Sequence, residues 1–513
     1  MDRRAVLPIV FVLSACFMYR NVEVASVERP AAPGDSVRVI TPVKAHLFDG
    51  STVVFRDGVV VAAGKVSGQG TRYSLTMADP MPVTSLPLDS VVGMESFRDH
   101  DQFLKTFVVS TLATGAVTLA VAGLAVAIFG SCPTYYADSA GTYVLEGEGF
   151  SYSIAPLFEA RDVDRLRIHA ASDGVLRLEV RNEALETHYL NHLELVEVRH
   201  AVGEIALGDE ANRLLIVAGL TAPTRAVDRA GRDIRRDIAV VDGESYHSDP
   251  QVLARAQVND LDDWIEVAIP APIGADSVAI VLRLRNSLLN TILLYDIMLG
   301  DPGARSLDWV GRDLEHVGPA VELAQWYQKR MGMQIAVWDG AGFRAIAHVK
   351  DTGPIAWKDV AIVVPVLESG TVRIRLRFPV DNWRIDRIAV AERFRRALPV
   401  VYALSAIQVG GHADTSALAS LAAADGRYLE TSPGQLFDAS FRPGPPAAME
   451  ERTFFLASQG YYTEWVRRGW LAAPRAAHGF VPSDTALAEA VTRWRATQDT
   501  LEARFMATRV PVR

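Results

Sequence analysis

"DSVAIVLRLRNS", residues 276 to 287, alternates apolar and polar residues most clearly at Val281-Leu282-Arg283-Leu284-Arg285. A period of two places successive side chains on opposite faces of an extended chain, so this stretch is a strand and constrains whatever packs on it. The same texture returns in "DGVLRLEV", "HLELVEV", "NRLLIVAG", "DDWIEVAIP" and "NTILLYDIML", separated by turn residues at sandwich-like spacing. Strands are therefore expected to dominate residues 142 to 300. A second set follows in "MQIAVWD", "FRAIAHV", "KDVAIVVPV", "TVRIRLRFP" and "WRIDRIAVAE". Between the two sets, "SLDWVGRDLEHVGPAVELAQWYQKRMG" has helical spacing and a terminal Gly332, which predicts connector helices over 306–334.

Ahead of these, residues 37–97 carry β-branched runs punctuated by Asp49-Gly50, Asp57-Gly58 and Gly68-Gln69-Gly70, the signature of a small β module. From Ser458 the chain reads as more helical. Ser483 or Asp484 can cap a final helix that buries Leu487, Val491, Trp494, Leu501 and Phe505 on one face. The expected fold is mainly β: a small N-terminal module, an apolar helical segment at 106–130, β-sandwich-like domains at 131–305 and 335–410, and a loop and helical tail over 411–513.

Two apolar stretches bear on location. Residues 1–15 have a basic start (Arg3, Arg4), an apolar run from Ala5 to Leu13 and small residues at Ser14 and Ala15, the layout of a secretory signal peptide. This run is too short to span a bilayer, which takes about 20 apolar residues. Leu13-Ser14-Ala15-Cys16 resembles the lipobox of bacterial lipoproteins. That resemblance implies cleavage before Cys16, a diacylglyceryl thioether on its sulfur and a palmitate-type acyl chain on its new amino group. Residues 16–36, with "VERPAAPGDS", then serve as a tether. The second stretch, 106–130, is uncharged over 25 residues and long enough to span. Its basic flank (Arg98, Lys105) lies on the N-terminal side, so the positive-inside rule conflicts with a lipid-anchored start outside the membrane. Spanning and lying on lipid or protein both remain open for it.

Gly130-Ser131-Cys132-Pro133-x-x-Tyr136, the pattern Tyr143-x-x-Glu146-x-Glu148, and "LRLEVRNEALETHYLNHLELVEVRH" at 176–200 together resemble an uncharacterised family of bacterial envelope lipoproteins. In that family a Ser-Cys-Pro-x-x-Tyr segment opens a β-rich region. The likeness covers about 130–300 and departs at Asp138-Ser139-Ala140-Gly141, where the family has a plain Asp-Gly turn. It implies a β-rich fold and an envelope address, and transfers no catalytic residue.

With 49% hydrophobic residues the chain can bury several cores, and its net charge of -9 opposes nucleic acid as a partner. Basic runs at 229–237 and 393–399 read as solvated loop faces. Were Cys16 lipidated, Cys132 would be the remaining thiol; it has no His, Lys or Arg beside it in sequence to activate it. His188 and His192 have zinc-like spacing for a helix but fall in a strand, about 13 Å apart. "GGHADTS" at 410–416 is a local polar loop, whereas a nucleophile triad joins distant segments. No phosphate loop, nucleophile elbow or dinucleotide pattern is present, so no cofactor and no catalytic residue are expected. The candidate binding residues are Tyr461, Tyr462, Glu464, Trp465, Arg468 and Trp470, whose aromatic faces and polar edges suit a sugar or a protein partner. The same aromatics could instead anchor the C-terminal helices.

The expected role is a lipid-anchored bacterial cell-envelope protein with a structural or protein-binding task. Its membrane contact would come from the lipid, with 106–130 as a second candidate contact. The alternative is binding of an envelope carbohydrate through 461–470, followed by a glycan-acting hydrolase, in that order.

Overall fold

The computed structural model describes residues 36–74, 80–97, 132–139, 142–271, 274–367, 370–446, 449–472, 480 and 483–507. The lipidation site Cys16, the signal peptide and the apolar segment 106–130 lie outside the described residues. The protein is mainly β, with a few helices including one at the C-terminal end.

Residues 204–396 form a sandwich of two sheets. Strands Glu204–Gly208, Leu214–Thr221, Trp383–Arg396, Ser277–Asn286 and Lys358–Pro365 close on themselves, the last seam being a parallel pairing of Gly208 with Val360. Against them lies a five-stranded sheet of Arg225–Asp228, Asp262–Pro270, Thr371–Pro379, Met333–Trp338 and Phe343–Val349. Asp262–Pro270 shows why the layer forms: Asp263, Ile265, Val267 and Ile269 are buried, while their alternate neighbours are partly exposed. Ile265, Val267 and Ile269 meet Ile280, Leu282, Leu284, Ile362 and Val364 of the closed sheet in one core. At roughly 2 kcal/mol for each large side chain fully removed from water, such a core dominates the favourable side of folding.

The alternating strand Ser277–Asn286 is buried on both faces, because closure supplies a second interior. Ala279 and Val281 fill that interior with Leu207, Val217 and Ala389. Arg283 on the same face is 8% exposed, held by Asp386 at 3.0 Å and Asp359 at 3.1 Å. A buried arginine is tolerable only when paired in this way.

The sandwich is nested inside a second sheet. Strands Thr134–Ser139, Thr142–Glu148, Ala160–Leu166, Leu176–Arg181 and Glu186–Ala201 pair with Val400–Val409, Leu436–Phe441 and Glu450–Glu464 into a ten-stranded sheet with two shorter strands. Chain leaves it at Ala201 and re-enters at Val400, opposite Glu197. The N-terminal module, Val37–Val39 to Val91–Ser96, is an eight-stranded sheet whose last member is Val466–Arg467.

Two sequence expectations are corrected. "NTILLYDIML" is helical: Leu289–Thr291 runs into a wide π-type turn at Ile292–Gly300. Apart from Asp296 the run from Ile292 is apolar on every side and buried, and without a period such a stretch does not distinguish strand from helix. The tail after 410 is not mainly helical: after the short helix Thr415–Leu421 it carries Leu429–Thr431, Leu436–Phe441 and Glu450–Glu464, because strand partners some 250 residues upstream claim it. The final helix, Asp484–Ala507, does bury Leu487, Val491, Trp494 and Phe505, with Leu501 half-buried. Ser483 Oγ accepts the Ala486 amide at 3.1 Å as its cap. Among the described residues no helix is long and apolar enough to cross a membrane.

Candidate functional site

Where the ten-stranded sheet, the nested sandwich and the connector helices meet, the protein leaves a cavity of about 460 Å³. Each wall follows from local structure. From the sheet come Cys132, just before Thr134–Ser139, Glu148 at the end of its strand, and Ser151, Tyr152 and Ile154 in the following turn. The wide helical turn brings Leu294 and Tyr295. Helix Val317–Arg330 presents Leu323, Ala324, Tyr327 and Gln328, spaced so that three and four residues apart share a face. The sandwich supplies Asn286, His348 and the loop from Lys350 to Pro354.

Most polar groups here are already engaged. Glu148 Oε2 accepts the amides of Ile355 at 2.9 Å and Ala356 at 3.0 Å. Gly353 makes that approach possible: it has φ +86°, and a Cβ there would stand 2.5 Å from the Glu148 carboxylate. Asp351 Oδ1 accepts from Asn286 Nδ2 at 2.8 Å and Asn382 Nδ2 at 3.2 Å, while burial raises its pKa. His348 Nε2 sits 2.9 Å from the Met331 carbonyl. The Tyr295 and Tyr462 hydroxyls lie 3.0 Å apart, and Tyr462 donates to the Ser151 carbonyl at 3.1 Å. Lys350 is exposed at the rim, its ammonium 4.6 Å from the centre of the Tyr152 ring. Burial pushes the Cys132 thiol well above its usual range, with Glu186 and Glu148 adding to the effect, so it is no ready nucleophile.

Behind the Tyr462 wall lies a buried acid pair. Glu186 and Glu464 are register partners on neighbouring strands, and burial pushes both carboxyls up to about 8. His188 Nε2 is 2.7 Å from Glu186 Oε1, and Arg467 Nη2 donates to Glu464 Oε1 at 2.6 Å. With both carboxyls pushed above neutrality by burial, the pair is held mainly protonated at pH 7.

Of the aromatic stretch read from sequence, Tyr462 lines the cavity and the rest pack elsewhere in the protein. Tyr461 is stacked on Tyr189, centroids 4.6 Å apart. Glu464 belongs to the acid pair. Trp465 lies flat on His46 of the N-terminal module at 3.7 Å and donates to Thr187 Oγ1 at 2.9 Å. Arg468 donates to the Asp89 carbonyl at 3.2 Å, and Trp470 is half-buried against Gly300 with Arg467 over its ring. Asp414 of "GGHADTS" caps helix Thr415–Leu421 by accepting from Ser416 and Ala417. The basic run at 229–237 is neutralised locally by Arg232–Asp228 and Arg235–Asp233 pairs. Among the described residues no cluster of three His, Cys, Asp or Glu side chains is placed to hold a metal.

Tyr152, Tyr295, Tyr327 and Asp351 were not singled out from sequence. They share no motif and are spread over about 200 residues of chain, joined only by the fold.

No family model matches the chain, and no curated protein matches it. Among solved structures it is similar to a cycloalternan-forming enzyme from Listeria monocytogenes in complex with a pentasaccharide substrate, at 11% identity and TM-score 0.16 over 46% of this chain and 21% of that one. An α-xylosidase from Xanthomonas citri gives 9% and 0.15 over 84% and 38%. An exo-β-1,3-galactanase from Phanerochaete chrysosporium gives 7% and 0.16 over 69% of each. The chain thus spans about a fifth to two fifths of the first two enzymes. Likeness at this level assigns neither activity nor substrate.

Proposed function

We propose that this chain is a non-catalytic ligand-binding protein of a bacterial envelope, related to the lipoproteins it resembles and held to the membrane by a lipid on Cys16. The observation that carries the binding role is the cavity of about 460 Å³ at the meeting of three separately paired parts of the chain. Ligand sites are typically concavities of roughly 300–1,000 Å³ with apolar walls and a few placed polar groups. The envelope address is supported by the leader and by Leu13-Ser14-Ala15-Cys16.

Two experiments test the reading. The full-length protein in lipid discs is mixed with a small-molecule extract of bacterial envelopes and its melting temperature followed. Stabilisation is expected, and it should vanish in Ala324→Trp, which fills the mouth from an exposed helix position. Equal stabilisation of the variant would sink the cavity as the site. For the anchor, cells fed radioactive palmitate should label the wild type and leave Cys16→Ser unlabelled; label on both would remove the thioether.

A further inference from the structure

From the cavity's chemistry we infer that its ligand carries an organic cation, an alkylammonium group of the choline or amine type, held among tyrosine rings. This rests on the cavity being the binding site and names what enters it.

Four tyrosines, Tyr152, Tyr295, Tyr327 and Tyr462, line this one space. The negative faces of aromatic rings attract a cation within about 6 Å, and recognition of quaternary ammonium groups by aromatic cages uses this attraction. The hydroxyls of Tyr295 and Tyr462 are engaged with each other and with the Ser151 carbonyl, so what these two residues offer a ligand is ring surface. Lys350 already holds its ammonium over the ring of Tyr152, a protein cation occupying one of these rings at the rim.

Charge points the same way. Glu148, 2% exposed, and Asp351, 7% exposed, both line the cavity, while Lys350 is exposed to solvent at its edge. Two carboxyls also neighbour the rings: Asp162, itself paired with Lys358, acts on Tyr152, and Asp351 acts on Tyr327. An anionic head would be repelled by this surround. A sugar would find Glu148, Asp351, Asn286 and His348 already bonded within the protein, with Ser151, Asn290, Thr291 and Gln328 as the remaining neutral polar side chains of the wall. A diffuse ammonium needs none of them free, since ring faces and the field of nearby carboxylates suffice.

Calorimetry on the full-length protein in phosphatidylglycerol discs, titrated with choline chloride or its uncharged isostere 3,3-dimethylbutan-1-ol, tests this. Choline should bind about tenfold more tightly than the alcohol. Glu148→Gln, which keeps an oxygen for the two amides, and Tyr327→Leu should each weaken choline by roughly three- to tenfold and leave the alcohol unchanged. Lys350→Gln, by removing a like charge, should tighten choline. In discs containing phosphatidylcholine, lower apparent affinity for free choline would identify a lipid headgroup as the source, and unchanged affinity a soluble amine; both outcomes uphold the cation.

Equal binding of choline and the alcohol would overturn the cation assignment while leaving the cavity as the site. Failure of both, with envelope extract still stabilising the wild type and not Ala324→Trp, would also overturn the class alone. Failure of all three would remove the cavity reading with it.

Discussion

Glu186 and Glu464 sit beneath the cavity wall as a pair whose folded-state pKa lies far above that of a carboxyl in an unfolded chain, about 4.3. The folded state therefore binds more protons than the unfolded state between about pH 4.3 and 8, and stability falls as pH rises through that window. The contribution is fully present below the unfolded value and lost above the folded one. Wild type should lose several kcal/mol between pH 5 and 9, and Glu464→Gln, which leaves Glu186 buried, should show about half that slope. Denaturant unfolding at several pH values measures it, and equal slopes would refute a raised pKa at Glu464. Trp465 makes a different local prediction. Trp465→Ala removes its stack on His46 and its bond to Thr187, at a cost of about 3–5 kcal/mol. Hydrogen exchange should quicken first in Val43–Leu47 and Val91–Ser96, the strands that this joint pins.

At the scale of elements, strands were the most legible part of the sequence, and their two-sided burial the least. Alternation in Ser277–Asn286 identified a strand correctly, yet it could not show that Arg283 turns inward onto Asp359 and Asp386, because the pattern records polarity and not which face closes. Ile292–Gly300 was misread for the opposite reason, having apolar residues at every spacing. Asp484–Ala507 was legible down to its buried face, since its cap and its period agree. That helix covers Leu289, Ile292, Leu293 and Ile297, and its Trp494 donates to Asp381 Oδ2 at 2.6 Å. Trp494→Ala should lower stability by about 3–5 kcal/mol and release the wide helical turn that carries Leu294 and Tyr295. The checks are chemical denaturation and loss of choline binding together. Retained binding at full strength would separate that helix from the cavity.

At the scale of the molecule, nesting was invisible in the sequence. Ala201 and Val400 border a gap of about 200 residues, and nothing in their composition announces that Glu197 and Val400 are neighbours. The cavity was hidden for the same reason, as its walls belong to parts of the chain that local pattern treats as separate; Tyr462 alone of the six sequence candidates reaches it. Because Val400–Val409 and Glu450–Glu464 pair with Glu186–Ala201, proteolysis in the exposed link around Leu398 should leave the two fragments associated under native conditions, with the nicked protein eluting as one species. Separation without denaturant would count against that pairing. The pairing of Val466–Arg467 with Val91–Ser96 has a consequence in time. At the ribosomal pace of about 5–20 residues per second, the first module waits on the order of half a minute for its closing edge to emerge. Until then the module offers an open border to any nascent neighbour, and chaperone cover is needed there for longest.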